Sequence, residues 1–302
     1  MATFPPIRAC IFDLDGLLIN SEDIYTEIYN KILHSYGKPS LQWTTKALQQ
    51  SRGKIGHERL ITSTHLPLTV PEFQSQVATH HSPFTTSHAP PRRPPPPPNP
   101  LHNNNHHTHL ALASSTTSSF FRTKTSHLPS LTTHFPPHTC LFRDDADMQT
   151  KKGKPAGDIF LLALERINAS LIGDVHGCHS ESKRVRAEEC LVFEDSIAGV
   201  AAGRAAGMRV CWVPHWGLRE VCAGLEQMVL AGKMEEVEGR LLALEAERVG
   251  MGSTEGEEGS MGEGETGGGG KVERIVSEDG WGEMIGSLEE FDYAEYGIRV
   301  RD

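Results

Sequence analysis

Two carboxylates, Asp13 and Asp15, stand one residue apart behind the apolar run Ala9-Cys10-Ile11-Phe12, and Gly16 follows them. Carboxylates at that spacing can divide labour, one attacking an electrophile while the other gives and retakes a proton. Alone, the pair fits a plain acidic turn at least as well, because Asp is a common turn and capping residue. Further groups downstream tip the balance. Ser114 ends the run Leu110-Ala111-Leu112-Ala113, Lys154 lies in Gly153-Lys154-Pro155, and Glu194 and Asp195 close Cys190-Leu191-Val192-Phe193. Phosphoryl transfer uses the whole set: a nucleophile, a proton donor for the leaving group, cations on the transferring oxygens, and hydroxyls to orient them.

The elements that must position these groups are legible as alternating patterns. Continuous apolar runs predict strands buried in a parallel sheet, and ligands of open α/β sheets bind beyond the carboxyl ends of such strands. Strands are expected at Ala9–Phe12, Leu110–Ala113, Glu189–Phe193 and Met208–Val213, with helices over Asp158–Asn168 and Ile197–Ala206. Alternation of this kind implies an α/β fold with helices on both faces. Ser21 to Tyr36 carries Ile24, Tyr25, Ile28, Tyr29, Ile32 and Leu33 at helical spacing, and further helices are expected over Trp43–Gln50 and from near Gly56. Residues 21–78 thus read as a helical insert after the first strand, with the core in 1–20 and 109–302.

Two segments break the pattern. Residues 79–108 hold His80-His81, the run Pro94 to Pro98 and Asn103 to His107, a composition too poor in apolar groups to offset chain entropy. Disorder is expected there, and the histidines read as solvated low complexity rather than a metal site. Residues 250–270 are nearly all Gly, Glu, Ser and Met, an acidic flexible linker. Thr123 to Asp147 is Ser/Thr/Pro-rich and has no clear assignment, Glu- and Leu-rich helices are expected up to Val249, and Val272–Val276 and Met284–Phe291 read as a last strand and helix.

The chain has 302 residues, 37% of them hydrophobic, and a formal charge of -10. That is enough apolar content for a sizeable core, and the acidic balance argues against nucleic acid or a membrane surface as partner. The beginning lacks a signal-peptide pattern and no apolar stretch is long enough to span a bilayer, so a cytoplasmic location is expected. The six cysteines are scattered without a Cys-x-x-Cys pair, which predicts neither a disulfide framework nor a zinc site.

Taken together, Phe12-Asp13-Leu14-Asp15-Gly16-Leu17-Leu18-Ile19-Asn20-Ser21-Glu22, Leu112-Ala113-Ser114-Ser115, Gly153-Lys154-Pro155 with Asp158-Ile159-Phe160, and Cys190 to Ser196 with Gly199-Val200 resemble the motifs of haloacid dehalogenase-like phosphatases with a helical cap. The resemblance spans about two thirds of the chain and extends through Ala205-Ala206-Gly207-Met208. It implies a Rossmann-like three-layer parallel sheet with an inserted cap, and a magnesium-dependent phosphatase. In that reading Asp13 is the nucleophile that forms an aspartyl-phosphate, and Asp15 is the acid and base. Ser114, Ser115 and Lys154 hold the phosphate, Mg2+ sits on Asp13, the backbone carbonyl of Asp15 and Asp195, and Glu194 contacts it through bound water. Arg52, Gly53 and Lys54 occupy the position of a cap loop that faces the substrate.

Within that family the sequence resembles the pseudouridine-5'-phosphatase-like branch, through Asp15-Gly16-Leu17-Leu18, Leu191 to Asp195 and Ser287-Leu288-Glu289-Glu290-Phe291. A small phosphorylated metabolite, a nucleotide- or sugar-phosphate, is the implied substrate. The proline tract stands where the family has a turn and a core helix, which predicts loss of that helix and thin cover on one flank of the sheet. Gly157 replaces a usual proline, and Gly173 to Arg186 is longer than the family pattern. Two rival readings share the motifs: a hexose phosphomutase, separated by whether inorganic phosphate is released, and a catalytically impaired scaffold that binds partners through its biased tracts.

Overall fold

The computed structural model describes residues 4–80, 108–128, 131, 133–173, 184–250 and 273–298. The expected disorder of 79–108, the lost helix there, the 250–270 linker and most of the long segment before Arg186 lie outside the described residues, apart from Thr79, His80, Thr108 and Gly250.

A seven-stranded sheet carries the chain, in the order β3-β2-β1-β4-β5-β7-β6. Its members are β1 (Ala9–Phe12), β2 (His109–Ser114), β3 (Cys140–Phe142), β4 (Cys190–Glu194), β5 (Arg209–Trp212), β6 (Ile275–Val276) and β7 (Gly282–Met284). All neighbours pair in parallel except β6, which runs antiparallel to β7 at the edge. β1 is central, with Phe12 opposite Leu112 on one side and Phe193 on the other, so Asp13, Ser114 and Glu194 emerge together at the carboxyl edge.

Alternate residues of each strand feed two apolar layers. Ile11, Ala111, Val192, Val210 and Trp212 point to one side, where α6 (Asp158–Gly173) and α7 (Ile197–Ala205) bury Phe160, Ile167 and Val200 against them. Cys10, Phe12, Leu191, Phe193 and Cys211 point to the other, and Phe12 and Phe193 stack with ring centroids 4.5 Å apart. That second layer is completed by Leu131, Phe135, Ile285, Leu288, Phe291 and Ile298, all buried. Each fully buried large aliphatic or aromatic side chain contributes roughly 1.5–3 kcal/mol, so both layers hold the strand ends firmly.

The insert comprises α1 (Ser21–Ser35), α2 (Trp43–Gln49), α3 (Gly53–Ser63) and α4 (Val70–Thr79). α1, α3 and α4 share their own apolar cluster of Ile28, Tyr29, Ile32, Leu33, Leu60, Phe73 and Val77. α2 differs, because its Ala47 and Leu48 join the main core. The start of α4 is fixed by a capping box in which Thr69 and Glu72 satisfy each other's backbone N–H groups, with Pro71 in the first turn.

Four elements depart from the sequence reading. α5 (Ser118–Thr125) and β3 occupy much of the stretch left without assignment, the helix capped by Thr117. α3 begins at Gly53, three residues before the expected start. The last helix expected at Met284–Phe291 is instead the end of β7 followed by a 3-10 turn at Leu288–Glu290. Its apolar spacing reads as helical, yet the edge of β5 offers open ladder positions: Val210 donates to Trp281 at 2.9 Å and Ile285 donates to Trp212 at 3.0 Å. Met284 and Ile285 then fall in opposite layers, as strand geometry requires.

Candidate active site

Asp13 follows β1 directly, and its backbone N–H donates to the Phe193 carbonyl at 3.0 Å, which continues the ladder one step beyond the strand. The chain then turns through Gly16, whose φ of +79° suits glycine; a Cβ there would strike the Asp195 carboxylate. The turn is tied by the Gly16 N–H, which donates to Ser21 Oγ at 3.1 Å. Asp13 is thereby held buried while Asp15 stands partly open to the cavity.

Lys154, 141 residues away in sequence, is buried against both carboxylates of the strand ends. Its Nζ donates to Asp13 Oδ1 and to Glu194 Oε1, each at 2.5 Å. Burial alone would lower its pKa, but Asp13 and Glu194 hold it above the ordinary lysine value. Glu194 is fully committed: Oε2 accepts from the backbone N–H groups of Asp195 at 3.0 Å and Ser196 at 3.2 Å. Gly199 leaves room for it, since a Cβ there would overlap the Glu194 carboxylate.

Asp195 is arranged differently. Its Oδ2 accepts from Gln50 Nε2 at 3.3 Å, whereas Oδ1 is buried with no hydrogen-bond partner among the described residues. Burial first, then Glu194, Glu22 and Asp13, push its pKa well up, with Lys154 opposing. Asp13 is pushed up to about 7 by burial, with Glu194 and Asp15 adding and Lys154 opposing. Asp13, Glu194 and Asp195 bring ligand oxygens within 4.8 Å of one another. An orphaned carboxylate oxygen beside two more carboxylates is a site that fits a hard divalent cation with oxygen ligands.

Asp15 meets a cation that sequence reasoning missed. Lys124, on α5, donates from Nζ to Asp15 Oδ1 at 2.6 Å and to the Tyr25 hydroxyl at 2.9 Å, and it lies over the Phe120 ring. The spacing of Phe120, Phe121 and Lys124 on a Thr-capped helix is readable, but burial of the lysine follows from a carboxylate 109 residues away.

Asp13 and Asp15 open onto a cavity of about 270 Å³ whose lining also includes residues of the insert, while Lys154, Glu194 and Asp195 lie behind it. Ser114 and Ser115 are in its wall with Asp13 and Asp15, and Ser114 Oγ accepts from Thr116 N–H at 3.2 Å. Of the expected cap loop only Gly53 reaches it: Arg52 pairs with Glu238 at 3.0 Å and Lys54 is exposed beside Glu58. The preceding residues Gln49, Gln50 and Ser51 line it instead, together with Tyr25, Tyr29, His57, Gln74 and Arg143.

The haloacid dehalogenase-like hydrolase family matches residues 10–213. The chain is 36% identical over 231 residues to the probable pseudouridine-5'-phosphatase of Saccharomyces cerevisiae, covering 76% of this chain and 91% of that protein. It is 30% identical over 233 residues to the mitochondrial (DL)-glycerol-3-phosphatase 1 of Arabidopsis thaliana, covering 76% and 71%. A solved haloacid dehalogenase hydrolase of Entamoeba histolytica superposes with a TM-score of 0.51 at 18% identity, over 72% of this chain and 89% of that one, which shows the shared fold. The chain belongs to the haloacid dehalogenase-like hydrolases and is an enzyme of phosphatase type. No helix among the described residues is long and apolar enough to cross a membrane.

Proposed function

We propose that this protein is a magnesium-dependent phosphatase of small phosphomonoesters that works through an aspartyl-phosphate on Asp13. The observation that carries the reading is the Asp13-Lys154-Glu194-Asp195 cluster at one strand edge, where a nucleophile, its cation and an orphaned carboxylate oxygen meet. Lys154 occupies Asp13 Oδ1, which leaves Oδ2 to attack phosphorus as the bond to the leaving oxygen breaks. Asp15 gives that oxygen a proton, then takes one from the water that attacks the aspartyl-phosphate, releasing phosphate and restoring Asp13. Lys124 fixes the carboxyl that performs both transfers. Ser114 and Ser115 offer donors to the phosphoryl oxygens.

Mg2+ held by Asp13, Asp195 and the Asp15 carbonyl would neutralise charge on the transferring oxygens. Glu194 is the weaker candidate for direct contact, since Lys154 and two backbone N–H groups already use its oxygens. The relatives named above act, by their names, on pseudouridine 5'-phosphate and glycerol 3-phosphate, which makes nucleotide- and sugar-type phosphates the candidate substrates here. The purified protein is expected to hydrolyse a generic aryl phosphate only with Mg2+ present. Asp13→Asn is expected to lower kcat by at least about 10³-fold, and turnover that survives it would remove Asp13 from the nucleophile role.

A further inference from the structure

One cation in the cavity wall, Arg143, makes no direct ion pair among the described residues, although its charge is felt by Asp144 beside it. Arg143 follows β3 directly, its backbone N–H donating to the Thr116 carbonyl at 3.0 Å, and its side chain is exposed along the wall. Arg143 Nη1 lies 3.7 Å from where a Cβ on Gly53 would stand, so the guanidinium rests against the first residue of α3. Every nearby acid is already engaged. Asp144 accepts from Ser118 N–H at 2.7 Å and from Ser118 Oγ at 2.9 Å. Glu22 pairs with Lys46, Asp15 with Lys124 and Asp13 with Lys154. Among the described residues no carboxylate pairs with Arg143.

His57, on α3, is the second member. Its Nδ1 faces the Gln74 amide nitrogen at 3.1 Å, and because that nitrogen can only donate, the ring proton falls on Nε2. Burial, and next the charge of Arg143, hold its pKa down to about 4, so the ring is neutral at physiological pH. A guanidinium and a neutral N–H donor lining one cavity make a receptor for an oxyanion. The reacting phosphoryl group has its own cation in Lys154. Arg143 and His57 instead abut or belong to the insert, the side toward which a leaving group extends.

We propose that Arg143 and His57 form a subsite for a second anionic group, carboxylate or phosphate, on the leaving group of the substrate. The proposal rests on the phosphatase reading and narrows it to phosphomonoesters charged at both ends, and so away from pseudouridine 5'-phosphate and glycerol 3-phosphate, whose leaving groups are neutral.

The test compares the protein as isolated with Arg143→Ala and Arg143→Lys on 2-phosphoglycolate, fructose 1,6-bisphosphate and glycerol 3-phosphate, all with Mg2+. Loss of a charged hydrogen-bond donor is expected to raise KM about tenfold or more for the doubly charged substrates. The rise for glycerol 3-phosphate is expected to be several-fold smaller, and Arg143→Lys to recover part of the difference. The first two substrates show whether the second group is a carboxylate or a phosphate. Equal rises on all three, or none, would overturn the subsite. Calorimetric binding of the same compounds separates this failure from that of the phosphatase reading. A preference for doubly charged ligands that disappears in Arg143→Ala supports the subsite even if nothing is hydrolysed, and its absence overturns the subsite even if hydrolysis is intact.

Discussion

The two walls of the cavity are built differently. On the sheet side, Asp13 lines the cavity and is joined by hydrogen bonds of 2.5 Å to Lys154, and through it to Glu194, both buried behind the wall, where every oxygen of Glu194 has a partner. On the insert side, Tyr25, His57 and Gln74 come from separate helices and Arg143 from the end of β3, and the exposed Arg143 side chain makes no direct ion pair among the described residues. The first wall is fixed by strand ends that two apolar layers hold in register. The second depends on how helices with their own small core sit above it. Chemistry and selectivity are thus assigned to parts of the molecule with different rigidity, which is how one fold serves many substrates.

The sharpest way to break this contrast is to open the rigid wall. Lys154→Ala leaves two buried carboxylates without their cation, and such a loss costs about 3–5 kcal/mol. Urea unfolding is expected to show that drop together with loss of turnover. A stability change below about 1 kcal/mol would mean that the wall is not held by this ion pair.

Lys124 joins the two walls, since it touches Asp15 on one side and Tyr25 of α1 on the other. Lys124→Met keeps the length and apolar contacts while removing the charge. It is expected to lower kcat about 10–100-fold with KM less affected, because it positions the proton-transferring carboxyl rather than the substrate. A change confined to KM would assign Lys124 to binding.

Asp195→Asn gives a smaller effect with a pH signature. Asp13, pushed up to about 7, and Asp195, pushed well up, both titrate above the ordinary carboxylate range in the folded protein, so as pH rises from about 4 the native state binds more protons than the unfolded state. Stability from these groups is therefore present at low pH and lost as pH rises. In metal-free protein Asp195→Asn is expected to raise Tm near pH 8, by about 2–4 °C per kcal/mol relieved, and to raise it less near pH 5. The same variant should remove the gain in Tm that Mg2+ gives the unaltered protein. A lower Tm at all pH values would show that the carboxylate is stabilising without metal.

The contrast between the walls also marks what the sequence could reveal. Asp13, Ser114, Lys154 and Asp195 each stand at the end of an apolar run or beside a glycine, because local strand and turn geometry is what places them. The same locality makes β1, β2, β4, β5, α6 and α7 readable to within a few residues. Lys124 and Arg143 have no such local mark, since each acquires its place from residues far along the chain. β3 is hidden by being only three residues long. β7 was obscured by apolar spacing that also suits a helix, until pairing with β5 decided it. α4 is a helix the sequence reading did not place, although its capping box, Thr69-Val70-Pro71-Glu72, is a local mark of its start.

The central claim is that the rigid wall forms a covalent bond to the substrate at Asp13. Rapid acid quench of the protein with an aryl phosphate and Mg2+, followed by peptide mass spectrometry, tests it most directly. The account predicts a phosphoryl group on the peptide that contains Asp13, absent in Asp13→Asn and accumulating in Asp15→Asn, where the base that activates water is missing. Turnover with no phosphorylated Asp13 in either the unaltered protein or Asp15→Asn would contradict it.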